Sequence, residues 1–295
     1  SVVTAQDPMS IVGYFLARKF KFPFQLQIHT DIFSSHFKKT LVTWSNFWYS
    51  GLVQVPITRF LIPRVSGIRV VSAPIKDSIQ KEFPKLKVIP EVLPVYVDIQ
   101  SIIDTAPTIN VENEYPHFKF IIFMASRLTR EKRIDVAIHA LRRVVSEFPH
   151  TGLVIAGSGP EKNNLIRKAR QMGLEKNVVF VGWKNDLISY FKTADMYLLT
   201  SEYEGYGMTL IEAGASGCPI VTTKVGIAKT DLFKNGQNSM VCEVGDYKCI
   251  AEKILELIHN NSKRELFKRS MVLDIQKDFI SKEEYVNKYM ELLER

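Results

Sequence analysis

The sequence predicts an α/β protein of two domains, each built on a parallel sheet, and three observations lead there. Short, almost uniformly apolar runs recur from Phe118 onward, and amphipathic helical segments lie between them. The third is length: 295 residues exceed what one core usually holds, at roughly 100–200 residues per domain. Apolar residues make up 46% and charged residues 24%, the balance of a folded globular protein and not of a disordered or fibrous one.

In the second half the strand candidates are residues 120–124, 153–156, 178–181, 196–200 and 220–223. Their unbroken apolar character is what strands buried on both faces require. Between them, Ala137, Leu141, Val144, Val145 and Phe148 share one helical face, and Leu165, Ile166, Ala169 and Met172 share another. Strand, helix, strand in that rhythm implies right-handed crossovers and a parallel sheet. The first half is sparser, with strand candidates at 2–5, 25–28, 68–71 and 87–89. Residues 98–116 lack periodicity and carry Pro107, Asn110, Asn113 and Pro116, so they read as a linker. Near the end, Tyr285, Val286, Tyr289, Leu292 and Leu293 mark the apolar face of a final helix.

Charge is unevenly placed: residues 18–87 hold twelve Lys/Arg against three Asp/Glu, while the whole chain carries +8. Basic residues there alternate with aromatics, as in Arg18, Lys19, Phe20, Lys21 and Phe22, then Phe37, Lys38, Lys39, Trp44, Phe47 and Trp48. Such a patch favours anionic partners. Residues 40–58 are free of formal charge at about the length of a membrane span, but polar side chains interrupt them. An amphipathic helix fits better, packed on its own sheet or set against a membrane surface. Cys218, Cys242 and Cys249 match neither a disulfide framework nor a zinc spacing and read as free thiols in a reducing compartment. No secretion signal is visible, so the expected location is the cytoplasm, at the inner face of the membrane if the basic-aromatic region touches lipid. The first residue is Ser, so the start was processed, engineered, or lies upstream.

Three constellations carry chemistry. In Ser201-Glu202-Tyr203-Glu204-Gly205-Tyr206-Gly207-Met208-Thr209-Leu210-Ile211-Glu212, a strand ends, a glycine-rich turn follows and a helix begins. In open parallel sheets ligands bind at the carboxyl ends of strands, where helix N-termini offer amides to phosphates. Gly205 and Gly207 let the backbone approach a ligand without a Cβ in the way. Glu204 lies in the turn and Glu212 about two helical turns along, able to accept hydrogen bonds from sugar hydroxyls. Two isolated glutamates are ordinarily solvated, and it is the strand-turn-helix context that gives these a role.

The second constellation is Arg127-Leu128-Thr129-Arg130-Glu131-Lys132, where Arg127 and Lys132 follow a strand end and can converge on a diphosphate. Alone, such a pair is a solvated basic turn. The third is His29, at the end of an apolar strand, with Asp31 either orienting its imidazole or capping the next helix. Gly157-Ser158-Gly159-Pro160 lacks the third glycine of a dinucleotide fingerprint, and no Walker sequence or metal-ligand spacing is present.

Together these residues resemble the family 4 glycosyltransferases, retaining enzymes of the GT-B architecture. The resemblance runs from residue 120 to about residue 257 and includes Met124-Ala125-Ser126-Arg127-Leu128…Lys132, Val154-Ile155-Ala156-Gly157-Ser158-Gly159-Pro160, Val179-Phe180-Val181-Gly182-Trp183 and the Glu-x7-Glu motif leading to Ser216-Gly217-Cys218-Pro219. It implies a hexosyltransferase acting in polysaccharide or glycolipid synthesis, with a nucleoside-diphosphate sugar as donor and a carbohydrate or lipid-linked acceptor. No cofactor, metal or nucleic acid is implied. The fold implied is a pair of Rossmann-like domains: residues 1–110 on the acceptor side, 111–275 binding the donor, and 276–295 a terminal helix crossing back to the first domain.

Carried over residue by residue, the resemblance makes Glu204, His29, Arg127 and Lys132 catalytic. Arg127 and Lys132 would hold the diphosphate, Glu212 the ribose, Glu204 the transferred sugar, and Gly205, Tyr206, Gly207 and Trp183 would line the donor. This sequence starts later than the family pattern, so the first strand-helix units are expected to be absent. The alternative reading is a truncated, catalytically impaired module that binds nucleotide sugar. Around Gly226 the family often has two adjacent glycines where this chain has one, which implies a different contact with the donor.

Overall fold

The computed structural model describes residues 2–6, 10–33 and 53–294. It divides into two compact units, Ser1–Val97 with Ile280–Arg295, and Asp98–Phe279. Among the described residues each is α/β with one parallel sheet, and the first sheet is the smaller, with four strands against six.

The first unit orders its strands β1 (Val3–Gln6), β2 (Phe24–Ile28), β3 (Gly67–Val70) and β4 (Glu91–Val92) across the sheet. Helix α1 (Ser10–Phe20) connects β1 to β2; α2 (Val55–Leu61) precedes β3, and α3 (Ala73–Glu82) follows it. Most of residues 40–58, including Trp44, Phe47 and Trp48, lie outside the described residues. The strand expected at 87–89 is not formed. The chain reaches the sheet only after Pro90, where Arg69 pairs with Glu91 and Val70 with Val92, and Ile89 stays exposed.

One face of this sheet is polar. Gln25 and Gln27 on β2 and Arg69 on β3 are buried there and need partners. The last helix supplies several of them. Gln25 Nε2 donates to Leu292 O at 2.8 Å, Gln27 Nε2 to Tyr289 Oη at 2.6 Å, and Arg69 Nη2 to Tyr285 Oη at 2.9 Å. Arg69 also donates to Gln27 Oε1 and to the Leu93 carbonyl.

The second unit has the strand order β10-β9-β8-β5-β6-β7. These are β5 (Phe120–Ala125), β6 (Thr151–Ala156), β7 (Val178–Gly182), β8 (Met196–Leu199), β9 (Ile220–Thr223) and β10 (Met240–Cys242), every pair parallel. Residues 98–116 are less irregular than expected, because two of their turn-like residues are helix caps. Asp98 accepts from Ser101 N to start α4 (Ile99–Asp104), and Asn110 accepts from Glu112 N to start α5 (Val111–Glu114).

Helix α6 (Ile134–Glu147) follows β5 and buries Ala137, Leu141 and Val144; α7 (Lys162–Gln171) follows β6 and buries Leu165 and Ala169. Next come α8 (Leu187–Thr193), α9 (Met208–Ala215) and α10 (Tyr247–His259). The final helical stretch is two helices, α11 (Asn261–Asp278) and α12 (Lys282–Glu294). The latter belongs to the first unit and presents Tyr285, Tyr289 and Leu292 to its sheet, whereas Val286 is exposed.

The expectation of three free thiols is corrected for two of them. Cys242 at the end of β10 and Cys249 in the first turn of α10 form a disulfide, their Cα atoms 6.0 Å apart, while Cys218 is free and buried. A tight turn between strand and helix brings together cysteines whose spacing resembles no known framework. Among the described residues, no helix is long and apolar enough to cross a membrane.

Candidate functional site

In the second unit β5 and β8 are neighbours in the sheet, although two strands separate them in sequence. The loops that leave their carboxyl ends therefore meet. The loop after β5 is first fixed to the loop after β6: Leu128 N donates to Ser158 O at 2.9 Å, and Glu161 N to Leu128 O at 2.9 Å. Close approach makes glycine obligatory here. A Cβ on Gly157, whose φ is +133°, would stand 1.9 Å from Ser126 O, and one on Gly159 would stand 2.4 Å from Leu128 O.

The same loop is then tied to the one after β8. Thr200 Oγ1 donates to Lys132 O at 3.0 Å, Glu202 N donates to Glu131 O at 2.8 Å, and the Arg133 guanidinium lies 3.5 Å from the Glu202 carboxylate. Arg133 takes a left-handed conformation, φ 46°, between the 3-10 turn 130–132 and α6. With the backbones held, Lys132 Nζ donates to Glu204 Oε1 at 2.7 Å, and both side chains are only 13% exposed. Ser201 Oγ donates to the same oxygen at 2.6 Å. Arg127 does not join this pair. Its side chain is 73% exposed and lies 3.7 Å from the Glu131 carboxylate.

The turn after Glu204 leads into α9, whose N-cap is Gly207 at φ 101° and which no side chain caps. Leu210 N turns back to donate to Gly207 O at 2.9 Å, which leaves the Met208 and Thr209 amides for a ligand or water. Within α9, Leu210, Ile211, Ala213 and Gly214 are buried, which turns Met208, Thr209 and Glu212 to the less buried side. No described residue hydrogen-bonds or pairs with the Glu212 carboxylate, and burial pushes its pKa up. A half-buried acceptor of this kind is suited to hydroxyl donors.

A further contributor is the 3-10 turn Gly226–Lys229 after β9. Ile227 N donates to Tyr206 O at 2.7 Å, and Tyr206 itself is buried. Gly226 has φ +51°, and a Cβ there would stand 2.4 Å from Tyr206 O and 2.9 Å from Glu204 Cβ. The single glycine of this loop is thus the one that leans on the Glu204 turn. Ser201 and Gly226 were not singled out as site residues by the sequence; the clue to Ser201 was its place between a strand end and Glu204.

The remaining candidates stand elsewhere. Trp183 follows β7, 72% exposed, its Nε1 donating to Asn185 Oδ1 at 3.0 Å. His29 belongs to the first unit, just after β2. Its Nε2 is buried without a hydrogen-bond partner among the described residues, and burial, helped by the Arg69 charge, holds its pKa below the ordinary imidazole value. Asp31 accepts from Phe33 N at 3.1 Å and from Ser78 Oγ at 2.8 Å, which anchors the turn after β2. Among the described residues no group of three His, Cys, Asp or Glu is placed to hold a metal ion.

Residues 107–271 match the family model described as glycosyl transferases group 1. A capsular polysaccharide biosynthesis glycosyltransferase, CapM of Staphylococcus aureus, is 34% identical over 148 residues, 50% of this chain and 38% of that protein. The N-acetyl-alpha-D-glucosaminyl L-malate synthase of Bacillus anthracis is 29% identical over 138 residues, 47% of this chain and 36% of that protein. The matched region therefore spans little more than a third of these curated relatives. Among solved structures, TarM of S. aureus superposes with a TM-score of 0.81 at 22% identity, over 100% of this chain and 55% of that one. Anabaena Alr3699/HepE, solved in complex with UDP, gives 0.81 at 19% identity, over 100% of this chain and 78% of that one. At such identities the likeness is one of fold, the GT-B type expected from the motifs.

Proposed function

The chain belongs to the glycosyl transferases group 1, and from that premise we propose that it moves a hexosyl group from a nucleoside-diphosphate sugar to an acceptor hydroxyl with retention at the anomeric carbon, as in family 4. The observation that carries this reading is the Lys132–Glu204 pair beside the uncapped start of α9, with Glu212, unpartnered among the described residues, on the same helix. An ammonium has three donors, and one of them holds Glu204. Two remain for diphosphate oxygens, so a single side chain couples the leaving group to the carboxylate that faces the transferred sugar.

The demand of the reaction is negative charge developing on the departing diphosphate. Lys132, the amides at the start of α9, and Arg127 on exchanging Glu131 for phosphate would stabilise it electrostatically, with no metal in the scheme. Glu204 Oε1 is taken by Lys132 and Ser201, which leaves Oε2 for a sugar hydroxyl. Glu212 would hold the ribose hydroxyls, and the Gly205-Tyr206-Gly207 turn and Trp183 would line the donor. UDP bound to HepE supports a nucleotide donor, and the capsular polysaccharide biosynthesis named for CapM supports polysaccharide synthesis; the acceptor in this reading is a carbohydrate or a lipid-linked one.

Release of nucleoside diphosphate from UDP-, GDP- and ADP-sugars tests the reading. Glu204→Gln should abolish turnover while nucleotide affinity stays within about twofold. Full turnover by that variant would remove the role given to Glu204.

A further inference from the structure

Helix α1 shows which way it faces. Ser10, Tyr14 and Ala17 are buried, and Gly13 lies so close to the sheet that a Cβ there would stand 2.9 Å from Ala5 Cβ and 3.0 Å from the Phe24 ring. With that face inward, the helical period turns Val12, Phe15, Leu16 and Phe20 outward. They are between 46% and 58% exposed, and Phe22 just beyond the helix is exposed as well. Scattered apolar side chains on a surface need no explanation, but a contiguous stripe at i, i+3, i+4 and i+8 does.

The charge around the stripe is of one sign. Arg18, Lys19 and Lys21 are exposed, Lys19 Nζ lies 5.6 Å from the Phe20 ring centroid, and no Asp or Glu occurs between Ser10 and Thr30. Helix α2 continues the pattern. Phe60, partly exposed, meets Tyr14 at 5.9 Å between centroids and carries the Arg64 guanidinium 4.2 Å above its ring.

We propose that this face of the first unit docks on the interface of a bilayer containing anionic phospholipid. The aromatic and aliphatic side chains of α1 enter the boundary between headgroups and acyl chains, and Arg18, Lys19, Lys21 and Arg64 meet the phosphates. A second copy of the chain is a poor occupant, since a two-fold contact would set these cations against themselves. The inference draws on the proposed transferase activity only in giving a lipid-linked acceptor a route to the enzyme; the surface is built from residues of the first unit alone.

Sedimentation of the whole chain with vesicles tests it. Phosphatidylcholine alone should bind weakly, and an equimolar mixture with phosphatidylglycerol strongly. The double substitution Phe15→Ser, Phe20→Ser should weaken binding to the mixture by about tenfold or more, and Lys19→Glu should also weaken it. Leu273→Ser, an exposed apolar residue of the second unit, should change nothing. Both phenylalanines are exposed, so folding should survive, and the affinity of the same variant for whichever of UDP, GDP and ADP the wild type binds should be unchanged. No binding to the mixture overturns the proposal. So does binding that falls with salt but ignores the phenylalanines, which would mark a plain polyanion contact, and so does a dimer that light scattering shows to dissociate in the double variant. Vesicle binding without any nucleotide binding would leave this surface standing and remove the transferase reading instead.

Discussion

Lys132 and Glu204, 72 positions apart in sequence, meet at 2.7 Å because β5 and β8 are adjacent and the loops that follow them are tied backbone to side chain and backbone to backbone. Each is the other's charge partner at a site from which water is largely excluded. Removing one therefore strands the other. Lys132→Ala should lower the stability of the second unit by about 2 kcal/mol, and the Lys132→Ala, Glu204→Ala double variant should lose about 1 kcal/mol less than the two single losses combined. Urea denaturation of the four proteins gives the coupling; strict additivity would mean that the pair contributes nothing.

Gly226 presses on the Glu204 turn, and a neighbour in the same unit provides the control. Both Gly226 and Gly236 have positive φ, but a Cβ on Gly236 would meet nothing within 4 Å. Gly236→Ala should cost only the backbone penalty of about 1 kcal/mol. Gly226→Ala should cost about 1–2 kcal/mol more through the clash with Tyr206 O and should reduce turnover, since the turn that moves carries Glu204. Thermal melts and donor cleavage rates on both variants check this.

Burial raises the Glu212 pKa above its ordinary 4.5. The folded state then holds its proton more tightly than the unfolded state. The stability contributed by Glu212 is fully present below 4.5 and declines as pH rises through the raised folded value. Glu212→Gln should match the wild type in acid and become the more stable of the two at neutral pH, while binding nucleotide less well. Equal stability of the two proteins across that range would contradict the account.

Reduction should be felt in the second unit. The Cys242–Cys249 bond ties β10 to α10, and the Cys242 carbonyl accepts from Lys224 N at 3.0 Å, at the start of the loop that contains Gly226. Cys249→Ser, or added reductant, should destabilise this unit by about 2 kcal/mol, seen as a lower melting temperature that reductant does not shift further in the variant.

β5, β6, β8 and β9 were legible because burial on both faces forces unbroken apolar runs; β7, an edge strand buried only at Val178, showed the apolar run without that burial, and the periodicity of α6 and α7 was as clear. β4 and β10, two and three residues long, leave too little pattern to see, and Asp98 and Asn110 looked like linker residues because caps and turns favour the same side chains. The site was half legible. Strand-turn-helix context marked Glu204, Glu212, Arg127 and Lys132, but closeness in sequence suggested that Lys132 works beside Arg127. Its partner is Glu204, which depends on a strand order that local pattern does not record. The disulfide was hidden for a different reason: Cys242 and Cys249 meet across the local turn from β10 into α10, at a spacing that matches no familiar framework.

Calorimetric titration of the wild-type chain and of Glu212→Ala with UDP, GDP and ADP tests the donor site most directly. One nucleoside diphosphate should bind, and the variant should bind it at least about tenfold more weakly, a loss of about 1.4 kcal/mol. Binding of none of the three, or full affinity in the Glu212→Ala variant, would contradict a nucleotide-sugar site at the start of α9.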